Sequence, residues 1–288
     1  MEKILLYKRV VPALFLVLLM GAGLLFSVVS AASEIHDVYP GQSIQNAINI
    51  SNPGDTVFVH NGLYNQRNIL INKNIILTGE NKLYTIIDAG GIGDVIHITS
   101  ATGCTVKKLT IQGSGEDRDG IYVESWFCSI RDNLLRNNGA GIALCPGSQN
   151  TISGNRIENN VVGIYFFGAQ NNIITDNTIQ GNTQRGILME YYDDFPIPLS
   201  TNNRIYHNNM YDAVDLVNYR NTNIWDAGFP GGGNFWLGHY CVGNPSSGDY
   251  PYHVSWNDYD RYPFESPFGW VHPKILYYYT CYEADTWD

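Results

Sequence analysis

One six-residue pattern returns along this chain at a nearly fixed interval, and it limits the folds available more than any other feature. Ile130-Arg131-Asp132-Asn133-Leu134-Leu135 is echoed by Ile152-Ser153-Gly154-Asn155-Arg156-Ile157, by Ile174-Thr175-Asp176-Asn177-Thr178-Ile179 and by Ile205-Tyr206-His207-Asn208-Asn209-Met210. Asn133, Asn155 and Asn177 lie 22 residues apart, and Asn208 follows after 31. Each unit also carries a Gly-Ile pair, at Gly141-Ile142, Gly163-Ile164 and Gly186-Ile187, and Gly120-Ile121 belongs to an earlier unit. Such a period is the mark of a repeat architecture. Within a unit, short β-branched runs alternate with polar residues and are broken by Asn and Gly, which is strand chemistry. A unit of this length cannot bury its own apolar face, but units stacked at about 4.8 Å can. The expected fold is all-β, a right-handed parallel β-helix of about seven rungs.

Stacking turns the repeat into columns. Two residues before each unit's first Ile or Val lie Cys104, Cys128, Asn150, Asn172 and Asn203, and three after it lie Leu109, Asn133, Asn155, Asn177 and Asn208. The asparagines are read as structural: stacked amides can hydrogen-bond along the axis and satisfy turn backbone. Cys104 and Cys128 become axial neighbours, with Cα atoms about 4.8 Å apart, within disulfide reach. A bond between them is a separate expectation, with Cys241–Cys281 as a second candidate pair that leaves Cys145 free. Ahead of the units, Ile44, Ala47 and Ile48 form one apolar helical face behind a capping Ser43. That predicts a short helix closing the open end of the coil. Tyr191–Asn203 breaks the period and is expected to project as a loop.

Lys3, Lys8 and Arg9 precede an apolar run from Val10 to Val29, followed by Ser30-Ala31. Residues 1–31 therefore read as a secretory signal, or as an uncleaved membrane anchor. Either places the remainder outside the cytoplasm, secreted, periplasmic or on the cell surface, with membrane contact only through this segment. The segment holds one of the 27 acids and three of the 17 bases, which leaves 26 against 14 and a net charge of −12. A nucleic-acid partner is excluded on that balance, and bare polyanions are poor ligands. With 15% charged residues the chain is no coiled coil.

Tyr39-Pro40-Gly41-Gln42-Ser43-Ile44-Gln45-Asn46-Ala47-Ile48, Pro53-Gly54-Asp55-Thr56-Val57, Gly62-Leu63-Tyr64 and Leu77-Thr78-Gly79-Glu80 resemble the start of pectin-lyase-like β-helix proteins. With the Asn and Gly-Ile units, the chain resembles the NosD-like right-handed β-helix family. Asn223-Ile224-Trp225-Asp226-Ala227-Gly228, Gly232-Gly233-Asn234-Phe235-Trp236, Gly248-Asp249-Tyr250-Pro251-Tyr252 and Asn257-Asp258-Tyr259-Asp260-Arg261-Tyr262-Pro263 are similar to that family's closing segment. The resemblance covers about residues 37–264, and the expected domain order is 1–31 signal or anchor, 32–222 β-helix and 223–288 a cap, the last part of it read from its aromatics alone. The resemblance also implies two metals. Copper comes from the family's namesake, a periplasmic protein tied to copper-site assembly in nitrous oxide reductase, and calcium from an aspartate loop common in the family. In place of that loop this chain has His239-Tyr240-Cys241-Val242-Gly243-Asn244-Pro245-Ser246-Ser247.

The residues themselves name two candidate sites. His239, Cys241 and His253 form the one local cluster of copper-type ligands. After each Gly-Ile pair, alternation points Val123, Leu144, Phe166 and Met189 inward and Tyr122, Ala143, Tyr165 and Leu188 outward, followed by Glu124, Cys145, Phe167 and Glu190. Tyr122, Tyr165 and Phe167, with Trp126, Tyr191 and Tyr192 at the edge and Glu124 and Glu190 beside them, then form a face suited to sugar rings. The alternative is that the C-terminal segment covers it. For catalysis, no Gly-His-Gly accompanies Asp176, Asp193 and Asp194, and Arg185 and Arg220 stand isolated. The expected function is a non-catalytic scaffold that binds a polysaccharide or a cell-surface protein. A polysaccharide lyase or hydrolase and a copper-handling protein are the alternatives.

Overall fold

A computed structural model describes residues 32–190, 198–216, 222–255 and 257–271. They wind into a parallel coil with three strands per rung, one in each of three sheets. Sheet A runs from Ile35–Val38 through Thr56–Val59, Ile76–Gly79, Thr105–Lys107, Ser129–Arg131, Thr151–Ser153 and Ile173–Thr175 to Arg204–Tyr206. Sheet B starts at Gly62–Asn65 and ends at Phe235–Trp236. Sheet C holds Ile69–Ile71, Ile96–Ile98, Asp119–Val123, Ala140–Leu144, Val162–Phe167, Arg185–Glu190 and Val214–Leu216. With eight, eight and seven strands, this is a right-handed parallel β-helix of about eight turns, slightly longer than the spacing predicts.

The interior is a set of apolar columns. Ile121, Ile142, Ile164 and Ile187 pair in direct register and are fully buried. Val57, Leu77, Val106, Ile130, Ile152, Ile174 and Ile205 form the sheet A column, and Ile87, Ile111, Leu135, Ile157 and Ile179 that of sheet B. α1, Ile44–Ile50, buries Ile44, Ala47 and Ile48 over the first rung, and Ser43 Oγ accepts the Asn46 N–H.

The corners explain the asparagines. A residue with positive φ precedes the ladder residue at each corner: Asp132, Gly154, Asp176 and His207 before Asn133, Asn155, Asn177 and Asn208, at φ between 56° and 64°. That conformation suits Gly, Asn and Asp best. The Asn that follows points inward. Asn177 Oδ1 accepts both the backbone N–H and the Nδ2 of Asn155 at 3.0 Å, and its own Nδ2 donates to Ile152 O at 2.9 Å. Each ladder thus satisfies turn backbone in the rung above it, as the sequence reading expects. A third ladder, Asn138–Asn160–Asn182, has the same 22-residue period and escaped that reading.

The ladders carry the coil past Leu216. Asn203 bonds to Asn223 and Asn208 to Asn234, although these spacings are 20 and 26 residues. Each column then ends in a carboxylate. Asp212 accepts from Asn182, Asp258 from Asn223, and Asp260 from Asn234. A last rung has no rung beneath it, so its ladder residue needs acceptors for the rung above and no onward donor, and a carboxyl group supplies those acceptors. Trp225 and Trp236 are buried at this end, and Tyr252 stacks on Trp236 at 4.0 Å. His207, at the left-handed corner of its repeat, stacks on Trp270 at 5.3 Å and bonds to Gly231 O at 2.7 Å. The closing segment supplies partners that the repeat arithmetic cannot show.

Candidate functional site

The outer face of sheet C brings aromatic, acidic and imidazole side chains together. Its register follows from the stacked isoleucines. With Ile121, Ile142, Ile164 and Ile187 inside, Tyr122, Ala143, Tyr165 and Leu188 share one outward column. Phe167 pairs with Glu190 in the next. Tyr122 and Tyr165 are two rungs apart, about 10 Å at the backbone. The rung between them carries Ala140, Ala143 and Cys145, all buried although they face outward, with Tyr122, Tyr165, Phe167 and Leu188 packed against them. Small residues on one rung let the flanking aromatics lie down over it, so the face is a supported apolar patch.

Polar groups frame the patch. His97 Nε2 lies 3.0 Å from Glu124 Oε2, and the His97 ring meets Tyr122 edge-on at 5.0 Å. Tyr165 Oη donates to Glu190 Oε2 at 2.8 Å. Trp126 and Phe127 are exposed at the edge. Burial, together with Cys145 and the nearby carboxyls, pushes the Tyr122 phenol up, so it remains a hydrogen-bond donor. Burial also raises the Cys145 thiol to about 12, which keeps it an unreactive thiol at neutral pH. Tyr191 and Tyr192 lie outside the described residues, as does the stretch from residue 272, on which the expectation of a covering C-terminal segment falls.

Two further acids belong here. Asp94 and Asp119 sit on adjacent rungs, and the Asp119 N–H donates to Asp94 Oδ1 at 2.9 Å. Burial, reinforced by Asp94, raises the Asp119 carboxyl to about 7. The sequence reading missed both acids and His97, because these rungs are spaced 25 and 27 residues and only one carries a Gly-Ile pair. Asp260 is raised to about 7 by burial as well. A carboxyl whose folded pKa exceeds its unfolded value binds more protons when folded, so stability falls as pH rises between the two values. Asp55 and Asp226 are shifted the other way by hydrogen bonds, and their contribution is lost only in stronger acid. The melting temperature is therefore expected to fall by about 5 °C or more between pH 5 and pH 8. A circular dichroism melt that rises over that range would contradict these assignments.

The other candidates do not assemble. His239 Nε2 lies 2.9 Å from Tyr250 O, Cys241 is buried with Sγ 3.6 Å from Pro263 O, and His253 meets Tyr259 edge-on at 4.4 Å. Among the described residues no group of three or more His, Cys, Asp or Glu is placed to hold a metal ion. A recess of about 580 Å³ beside α1 is lined by amides such as Gln45 and Gln66, which already bind backbone at Leu70 and Ile44. Cys104 and Cys128 are axial neighbours, as the columns predict, while Cys281 lies outside the described residues.

Residues 94–225 match the model of a family described as a right handed beta helix region. No curated protein sequence matches the chain. Among solved structures it is similar to the Agl-KA catalytic domain at 17% identity, with 59% of this chain and 35% of that one covered and a TM-score of 0.49. It is similar to the catalytic domain of a GH87 alpha-1,3-glucanase in complex with nigerose at 15% identity, 71% and 38% coverage and a TM-score of 0.49. An alginate lyase from Paenibacillus sp. str. FPU-7 is similar at 13% identity, 63% and 76% coverage and a TM-score of 0.43. The chain spans little more than a third of the length of the first two, at 35% and 38%.

Proposed function

We propose that this chain is a non-catalytic β-helix module that binds a neutral or cation-bridged polysaccharide on the outer face of sheet C. The observation that carries this reading is the register that sets Tyr122, Tyr165 and Phe167 over the small-residue rung of Ala140, Ala143 and Cys145. Aromatic rings present flat apolar surface to sugar rings, and Glu124 and Glu190 accept hydroxyl hydrogen bonds. The net charge argues for neutral chains as ligands, or acidic ones bridged by cations. The basic-then-apolar N-terminal segment supports a site of action outside the cytoplasm.

Binding to a panel of soluble neutral and acidic polysaccharides tests this reading. A Tyr122→Ala, Trp126→Ala double variant of unchanged melting temperature should bind about tenfold more weakly than the wild type, a loss of about 1.4 kcal/mol. Equal binding by both proteins, or no binding by the wild type, would overturn it. The Asp94–Asp119 pair supports a second reading, a glycan-cleaving enzyme. A carboxyl raised to about 7, and so still partly protonated at neutral pH, beside a second carboxyl is the kind of group that protonates a leaving oxygen. Mass detection of cleaved glycan, lost in Asp119→Asn, would favour that reading over simple binding.

A further inference from the structure

Cys104 and Cys128 stand at the head of a ladder column whose lower rungs hold Asn150, Asn172 and Asn203. Each asparagine links to the rung below through its amide, and a single cysteine in that column could not. Two cysteines on successive rungs can make the link covalently. The flanking residues Thr105 and Ser129 are in direct parallel register. This sets the cysteine Cα atoms about 4.8 Å apart, inside the range of roughly 4.4–6.8 Å that a disulfide spans. Both side chains point into the coil, both are buried, and their Sγ atoms approach to 2.9 Å. Nothing has to move far for the two sulfurs to bond.

We propose that Cys104 and Cys128 form an inter-rung disulfide that staples the fourth and fifth strands of sheet A, Thr105–Lys107 and Ser129–Arg131 being the strands that follow them. The oxidant is a disulfide, of a small thiol or of an oxidoreductase. With Cys128 attacking first the exchange has two steps, and it balances in the same way from Cys104. Cys128 attacks one sulfur of the oxidant, forms a mixed disulfide and expels one thiolate. Cys104 then loses its proton, attacks the Cys128 sulfur and expels the second. Two protein thiols are oxidised by two electrons, one oxidant disulfide is reduced to two thiols, and the two protons pass to the leaving thiolates. Because both sulfurs are buried, exchange takes place before the two rungs close, and the closed coil shields the bond from reductants.

The test is peptide mapping of the full chain after folding in a glutathione redox buffer, with free thiols blocked by N-ethylmaleimide in denaturant. Trypsin cuts after Lys107, Lys108 and Arg118, so Cys104 and Cys128 fall on separate peptides unless bonded. The expected result is one linked peptide pair, 2 Da lighter than the two thiol peptides together. A reductant should lower the melting temperature by about 5–10 °C, and that sensitivity should vanish in Cys104→Ser and in Cys128→Ser. N-ethylmaleimide on both residues after oxidation, or either one linked to Cys145, Cys241 or Cys281, would overturn the proposal.

Discussion

Replacing Asn177 with leucine is expected to lower the melting temperature by about 10 °C or more. Leucine keeps the branched shape and removes every hydrogen bond the side chain makes. The backbone N–H of Asn155 loses its acceptor, Asn155 Nδ2 loses one of its two, and Ile152 O loses the Asn177 donor, all at buried positions. Each orphaned buried group costs about 1–3 kcal/mol, and 1 kcal/mol is worth about 2–4 °C in a domain of this size. An exposed asparagine at another corner of the same rung provides the contrast. Asn171 occupies a left-handed corner at φ 58°, and glycine adopts that conformation freely, so Asn171→Gly should melt within about 2 °C of the wild type. If Asn177→Leu melts as the wild type does, the ladder is decoration and the account of the repeat is wrong.

Gly163→Ala should cost about 3 kcal/mol or more, measured by urea unfolding. The repeated Gly-Ile pair is explained by close approach of successive rungs. A Cβ at Gly163 would sit 2.3 Å from Gly186 O, 3.0 Å from Ile179 Cγ2 and 3.1 Å from Asn182 Nδ2. The nearest obstacle is backbone, so relief requires one rung to move away from the next. The same clash recurs at Gly120 and Gly141 against the carbonyls of Gly141 and Gly163. Ile164→Ala, next in the chain, should cost about 2–5 kcal/mol through a cavity. The two substitutions differ in reach. The cavity stays inside the coil, whereas the lifted rung carries Tyr165 and Phe167 with it, so Gly163→Ala should also weaken glycan binding.

What the sequence made legible follows from this physics. A stacked coil repeats its inward residues at the rung length, so four isoleucines fix the register, and period-2 alternation then assigns every outward neighbour. Val123, Leu144, Phe166 and Met189 are buried and Tyr122 and Tyr165 face out for that reason. Parity names a face but not what lies down on it. Ala143 and Cys145 point outward and are nonetheless covered, because the neighbouring rungs carry larger side chains. Where the rung length changes, the arithmetic fails. Asn223 and Asn234 continue the ladders at irregular spacing, and Asp212, Asp258 and Asp260 replace the amide at the ladder ends, so neither period nor residue type marks them. Asp94 and His97 were lost for the same reason. Two rungs of unlike length put them beside Asp119 and Tyr122, and only the strand pairing shows it.

The central claim is that the outer face of sheet C is where this chain meets its ligand. Hydroxyl-radical footprinting, with side-chain oxidation read by mass spectrometry, tests it most directly. It should be run with and without the best-binding oligosaccharide from the polysaccharide panel. Oxidation of Tyr122, Trp126, Tyr165 and Phe167 is expected to drop when the glycan is bound. Oxidation of Tyr84 and Tyr240, exposed elsewhere on the coil, should not change. Protection of Tyr84 or Tyr240 with the sheet C aromatics unchanged would contradict the account.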